Sequence, residues 1–252
     1  MTSTPWTPPV WYPGELDTAG PEHLDPGFVT GFDRKQGYPD PAEDLAALRA
    51  AGVGPDATVI DLGAGTGRFA FAAAREFGRV VAVDVSPAMV AHLRERTAGD
   101  AERSGGTGGR VPIVVRGGFL SYRHEGPQAD AVHTRHALHQ LPDAWKAVAL
   151  TRIAGMLRPG GILRLRDLIL DFRPAEAEER LNAWLAEAPD PETDPGVDPT
   201  ARYVRADYIE HLRSEHSTFR YLQEAMLDDA GFEILDADFP HPVFGAYTCR
   251  RR

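Results

Sequence analysis

Three groups of residues in this chain could do chemistry. The first is VIDLGAGTGRFA (59–70), in which Asp61 precedes glycines at 63, 65 and 67. Glycine lets the backbone approach a ligand closely and takes positive φ without steric penalty. The residues beyond read as a helix start, whose free N–H groups face a ligand's negative end. The second is Asp84, at the end of the apolar run RVVAVDV. It falls about 20 residues after the glycines, where a carboxylate can accept both hydroxyls of a ribose. Together these specify a nucleoside-containing ligand at the carboxyl edge of a parallel sheet. The third group is His133, His136 and His139, with Arg164, Arg166 and Asp167 following a further apolar run.

Two ligand classes suit the glycine turn. Gly65-Thr66-Gly67-Arg68-Phe69-Ala70 matches G-x-G-x-x-G/A, so an NAD(P)-dependent oxidoreductase must be considered. Asp61 argues against it, because a carboxylate before the glycines repels a pyrophosphate. The same carboxylate suits a cationic amino acid end, and S-adenosylmethionine carries both an ammonium and a sulfonium. No tyrosine has a lysine four residues on, which removes the Tyr-x-x-x-Lys chemistry.

The histidines are open to several readings. If 136–141 is helical, His136 and His139 share a face and could hold a metal or a substrate. No cysteine or fixed carboxylate lies nearby in the sequence, so packing and hydrogen bonding are expected and no metal is. Base or substrate contact by one histidine is the alternative, since imidazole titrates near neutrality. Arg166-Asp167 could meet a polar substrate or form a salt-bridged pair.

The elements that must position these groups follow from the pattern. AEDLAALRAAG (42–52) reads as a helix, TVIDLG (58–63) as a strand and GRFAFAAAREFG (67–78) as a helix. RVVAVDV (79–85) is an apolar strand of the kind buried on both faces. Ser86-Pro87 supplies an N-cap and first-turn proline for PAMVAHLRERTA. The stretch 99–110 is expected to be a flexible loop, with strands over 111–119 and 130–135. A helix over 142–157 and a strand over 161–170 follow. Strand–helix alternation at this spacing means βαβ units and a mostly parallel sheet. The pattern then breaks into a helix around Leu181, Trp184 and Leu185, and a Pro/Asp-rich loop. A helix over 218–231 and two strands close the chain. Tyr203, Tyr208, His211, His216 and Phe219 are candidates to cover a pocket, and the Trp184 stripe is assigned to packing.

VIDLGAGTG, VVAVDVSPAMV, DAVHTRHALHQLPD and MLRPGGILRL, in that order, resemble the class I S-adenosylmethionine-dependent methyltransferases, domain type 11/25. The resemblance covers roughly residues 42–170 and the closing hairpin. It implies an α/β fold: a Rossmann-like doubly wound sheet, mostly parallel with an antiparallel last strand, plus a helical cap insertion and an N-terminal arm. The expected divisions are an arm and possible lid (1–41), the cofactor core (42–170), a helical insertion (171–231) and a closing hairpin (232–252). The resemblance places Asp61, Gly63 and Gly65 at the methionine and ribose part of S-adenosyl-L-methionine. Asp84 and Val85 fall at the ribose, Met89 near adenine, and Thr134 and Arg135 along the methionine side. The family's acidic residue for the adenine amino group is missing, because the third strand ends in Arg116-Gly117-Gly118-Phe119. The main chain of Gly118 and Phe119 is expected to substitute. Methyl transfer from a sulfonium needs a placed nucleophile and exclusion of water. His136, His139 and Asp167 are the catalytic candidates.

Composition limits the partners. The 252 residues carry a formal net charge of -10, which disfavours nucleic acid, since phosphates demand a basic face. Basic residues are nearly all arginine, with lysine only at 35 and 146. The one cysteine, Cys249, excludes a disulfide framework and a Cys-rich zinc site. No apolar run approaches the ~18 residues that span a bilayer, and the first residues lack a signal peptide's basic and apolar regions. A cytoplasmic monomer or homodimer acting on a small molecule is expected, transferring methyl to an O, N or C nucleophile. A nucleoside-binding accessory or regulatory protein without turnover is the alternative from another class.

Overall fold

The computed structural model describes residues 9–103 and 110–252. Its centre is a sheet of strands β1 (Thr58–Leu62), β2 (Arg79–Asp84), β3 (Ile113–Arg116), β4 (Ala129–Arg135), β5 (Leu157–Leu170), β6 (Thr218–Phe219), β7 (Phe232–His241) and β8 (Phe244–Arg251). The order is β3-β2-β1-β4-β5-β8-β7, with the two-residue β6 pairing beside β5. The β1–β5 ladders are parallel, and β8 runs antiparallel to both β5 and β7. This is the doubly wound, mostly parallel α/β sheet expected, with its antiparallel strand.

Side-chain alternation along β1 explains the two layers. Ile60 and Leu62 join Val81, Val83, Leu163 and Leu165 on one face. Val59 joins Val80, Ala82 and Ala131 on the other. Helix α6 (Asp143–Met156) covers the first face with Ala149, Leu150 and Ile153. Helices α3 (Ala42–Ala50) and α4 (Arg68–Glu76) cover the second with Leu45, Leu48, Phe69 and Ala73. The chain turns one way from β1 to β2 and β3, then crosses to β4 on its other side. A crevice opens at the carboxyl ends of the strands where the order reverses, the usual ligand position in such sheets.

Several local expectations are corrected. Helix α5 (Pro87–Arg103) continues into the segment expected to be a loop, because Ala101, Glu102 and Arg103 are good helix formers that outweigh Gly99; the rest of that expected loop, 104–109, lies outside the described residues. The stretch 136–141 is not a helix. Only Leu138–Gln140 forms a 3-10 turn, and His136 has a left-handed φ of 50°. The third strand is shorter than expected. Strand β5 begins earlier, absorbing Pro159-Gly160-Gly161 through a register shift against β4. The insertion holds α7 (Ala177–Glu187) and a further helix missed in the sequence, α8 (Arg205–Ser214), whose Asp207 carboxylate accepts from the Val204 N–H at 2.8 Å. Helix α9 (Arg220–Asp229) starts after β6.

The N-terminal segment carries a single turn, α1 (Glu15–Thr18), and α2 (Pro26–Lys35). Val29 and Phe32 bury against Met89 of α5. Ser86 Oγ donates to the His23 carbonyl at 2.6 Å, and Tyr12 Oη to the Leu120 carbonyl at 3.2 Å. Lys35 of α2 pairs with Asp207 of α8 at 2.9 Å, so arm and insertion meet each other. No helix among the described residues is long and apolar enough to cross a membrane.

Candidate active site

The glycine turn is shaped by its neighbours. Gly63 has φ 74°, and a Cβ there would lie 2.5 Å from that of Ala137. Gly67 has φ 84°, and a Cβ would meet Leu93 at 2.5 Å. A side chain at either position would be strained and would force its neighbours to shift. The turn is fastened to β2: Gly63 N–H and Ala64 N–H both donate to the Val83 carbonyl, at 2.9 and 3.0 Å.

Asp84 closes β2 with its carboxylate 8% exposed. One oxygen accepts from Gly65 N–H at 2.8 Å and the other from Ser86 N–H at 2.9 Å. Each oxygen keeps a lone pair for a hydroxyl donor. Burial raises its pKa to about 6, although the Ser86 and Gly65 N–H groups pull it down.

Asp61 anchors a buried polar chain. It lies 2.7 Å from His133 Nδ1, and the His133 ring stacks on Phe69 with centroids 3.6 Å apart. His133 Nε2 lies 3.6 Å from Asp44, which accepts from Arg164 Nε at 2.8 Å. Burial opposes charging His133, but the Asp44 and Asp61 carboxylates outweigh it and hold its pKa above the ordinary value. Burial also opposes charging Asp44, yet His133, Arg166 and Arg164 hold its pKa far below the usual carboxylate range. Arg164 and Arg166 therefore form ion pairs with Glu43 and Asp44, and neither lines the crevice.

The crevice is one continuous cavity of about 760 Å³. It is lined by Asp61, Gly63, Gly65, Asp84, Val85, Met89, Gly118 and Phe119. His136, His139, Trp184, Tyr203, Tyr208 and His211 line it as well. Arg135 also lines it, whereas Thr134 and Asp167 are buried behind its wall. Trp184 packs as expected, stacked on Tyr208 at 4.8 Å, but it is also part of the wall, a role the packing assignment omitted. His216 lines the cavity and Phe219 does not.

The histidines differ sharply. His136 stacks on Phe244 at 5.9 Å, and its N–H donates to the Arg166 carbonyl at 2.8 Å. Burial lowers its pKa to about 4, leaving the ring neutral. His139 contacts Asp167 through Nδ1, and its own N–H donates to the other Asp167 oxygen at 2.9 Å. Its Nε2 lies 2.9 Å from Glu215, which also contacts His211. His136 and His139 thus do not act as a pair; the partner of His139 is His211.

Three residues escaped the sequence reading. Glu15 of α1 accepts from Leu120 N–H and Ser121 N–H, each at 2.8 Å. A Cβ on Gly118 would collide with its carboxylate, so an acid from the arm occupies the space beside a residue that has no side chain. Nothing in the local sequence signals that. Asp44 is an acid in the first turn of α3, indistinguishable in sequence from a helix-dipole residue. Glu215 stands four residues after His211, a helical spacing that puts both on one face and could have been noticed.

A family model described as "Methyltransferase domain" matches residues 59–161, which span β1 through the glycine turn of β5. Over those residues the chain is similar to a methyltransferase domain. The ribosomal protein L11 methyltransferase of Pelotomaculum thermopropionicum is 43% identical over 112 residues, 44% of this chain and 32% of that protein. The acetylserotonin O-methyltransferase of Mus musculus is 34% identical over 127 residues, 49% of this chain and 31% of that protein. The match therefore spans about a third of these curated relatives. The magnesium protoporphyrin IX methyltransferase of Synechocystis, crystallised with S-adenosylmethionine, superposes with a TM-score of 0.60 at 16% identity. That superposition covers 96% of this chain and 99% of the other, and shows that the two chains share a fold.

Proposed function

We propose that the chain transfers a methyl group from S-adenosylmethionine to a small molecule held in the cavity. The observation that carries this is continuity: Asp84 and His136 line one and the same space. Its volume is within the range that holds a ligand with most of its surface buried.

The donor set fits the cofactor. Asp84 has acceptor capacity for two ribose hydroxyls and is buried at energetic cost until donors arrive. Met89 and Phe119 offer apolar surface for a base, and Glu15 places a carboxylate beside Gly118 for an amino donor. Asp61 offers negative charge at the turn, where a cationic amino acid end would sit, with Gly63 and Gly65 leaving the backbone bare. The bound cofactor supplies an electrophilic methyl group on a sulfonium. The chain's own part is to hold the acceptor in line and exclude water. His136 is a neutral imidazole facing the cavity, suited to accept a hydrogen bond from an acceptor hydroxyl or amine and orient its lone pair. Asp167 is a positioning residue, since its carboxylate serves His139 and the Leu168 N–H at 2.9 Å.

The small-molecule reading draws on enclosure. The described part of the arm (9–41) and the insertion (171–231) act as two halves of a cover over the core, joined through Lys35 and Asp207. Net charge of -10 leaves a nucleic-acid acceptor disfavoured. Transfer of tritium-labelled methyl to a panel of hydroxyl, amine and carbon acceptors, with unfolded and ribosomal proteins alongside, tests the reading. Turnover on a small acceptor supports it. Turnover confined to polypeptides would refute the acceptor class, and cofactor binding without any turnover would favour the accessory protein.

A further inference from the structure

The cavity wall holds a cluster that the reading above leaves unused. His139 follows β4, His211 sits on α8, and Glu215 ends that helix. One donor atom from each converges, all within 4.8 Å of one another. His139 Nε2 and His211 Nδ1 both reach Oε2 of Glu215. All three residues line the cavity.

Two features mark this as a built arrangement. The ring nitrogens that point away are each held from behind. His139 Nδ1 contacts the buried Asp167, and His211 Nε2 lies 2.7 Å from Ser217 Oγ. Outer partners of this kind fix the tautomer and orientation of ligating imidazoles. The two chain segments are also clamped together. His216 N–H donates to the His139 carbonyl at 2.9 Å, and the buried Lys146 bridges the His216 carbonyl and Asp143. Thr218 Oγ1 adds a hydrogen bond to Asp143 at 3.1 Å.

We propose that His139, His211 and Glu215 bind a divalent transition-metal cation in the wall of the cavity. Two imidazoles and one carboxylate suit Zn²⁺, Fe²⁺, Co²⁺ or Mn²⁺, whereas Mg²⁺ and Ca²⁺ require a set of oxygens. The expectation of no metal rested on the absence of a fixed carboxylate near the histidines, and Asp167 and Glu215 now supply two. Three protein ligands leave coordination positions open toward the cavity. There the cation takes a lone pair of the acceptor, which points to substrates with a hydroxyl; coordination eases passage of the hydroxyl proton to the His136 imidazole as the oxygen takes the methyl group. That last step rests on the methyltransferase reading; cation binding does not, and is tested by itself.

The untagged full chain, stripped with a chelator, is titrated with Co²⁺ alone and followed by visible absorption and calorimetry. One Co²⁺ per chain is expected, with d–d bands that Zn²⁺ abolishes. His211→Ala and Glu215→Gln should each weaken binding by about a hundredfold or more. Asp167→Asn, acting only through His139, should weaken it by about 10–100-fold. His241→Ala removes a histidine on the β7–β8 hairpin, outside the cluster, and should bind like the wild type. Wild-type protein without stoichiometric binding overturns the proposal, as does unchanged binding in both ligand variants. Thermal melts by circular dichroism accompany each variant. If His211→Ala fails to fold, Ser217→Ala serves instead: about tenfold weaker binding is expected, and unchanged binding overturns the proposal.

Discussion

Replacing Asp84 with asparagine should separate the chain's stability from its grip on ligand. Burial, with Asp61 adding repulsion, raises the Asp84 pKa to about 6 against 3.8 for an ordinary aspartate. About two units at 1.36 kcal/mol each place about 3 kcal/mol of destabilisation on the ionised carboxylate at neutral pH. The sign follows from proton uptake: between those two values the folded chain binds more protons than the unfolded chain. The contribution of Asp84 to stability therefore declines as pH rises through that window and is least favourable above about 6. Asparagine carries no such charge, but it leaves one of the Gly65 and Ser86 N–H groups without an acceptor, at about 1–3 kcal/mol. The ligand-free variant should be between unchanged and about 2 kcal/mol more stable in urea unfolding at neutral pH. Its affinity for S-adenosylhomocysteine should nonetheless fall by about ten- to a hundredfold, because the amide accepts from one hydroxyl where the carboxylate accepts from two. Hydroxyl donors favour the ionised carboxylate, so wild-type affinity should decline below pH 6 by up to tenfold per unit, with no such decline in the variant. A variant that is clearly destabilised yet binds the ligand unchanged would refute the reasoning.

Further outcomes can be checked alongside. Glu15→Ala should weaken S-adenosylhomocysteine binding several-fold, and Gly118→Asp should do so as well by colliding with the Glu15 carboxylate. The two together should recover most of the loss in calorimetry, a coupling of about 0.5–3 kcal/mol, whereas additive losses would show that the two positions do not share a site. Gly63→Ala must adopt φ 74° and push against Ala137, which should lower stability by about 2–5 kcal/mol in urea unfolding. Asp44→Ala leaves Arg164 buried without its closest partner and should cost about 3–5 kcal/mol by the same measurement.

Local signals made the glycine turn and its neighbours legible. The alternation of apolar strands with amphipathic helices fixes the parallel sheet, and the glycines with Asp84 need only neighbours close in sequence. Asp61 and His133 are 72 residues apart, and only the β1–β4 ladder shows that they touch. The rest of the cavity wall depends on such distant contacts. Glu15 reaches Leu120 from 105 residues away, and His216 reaches His139 from the insertion. The helical reading of 136–141 failed because His136 is held in a left-handed conformation, with its N–H on the Arg166 carbonyl, a constraint set by the neighbouring strand. Helix α8 escaped because its sequence is polar and only Tyr208 and Leu212 pack on the apolar cluster around Trp184, so no clean apolar period marks it.

The most direct test of the central claim is calorimetric titration of the full chain with S-adenosylhomocysteine, with NAD⁺ titrated in parallel. The expected result is saturable binding of one S-adenosylhomocysteine per chain and no binding of NAD⁺. Failure to bind S-adenosylhomocysteine, or preferential binding of NAD⁺, would contradict it.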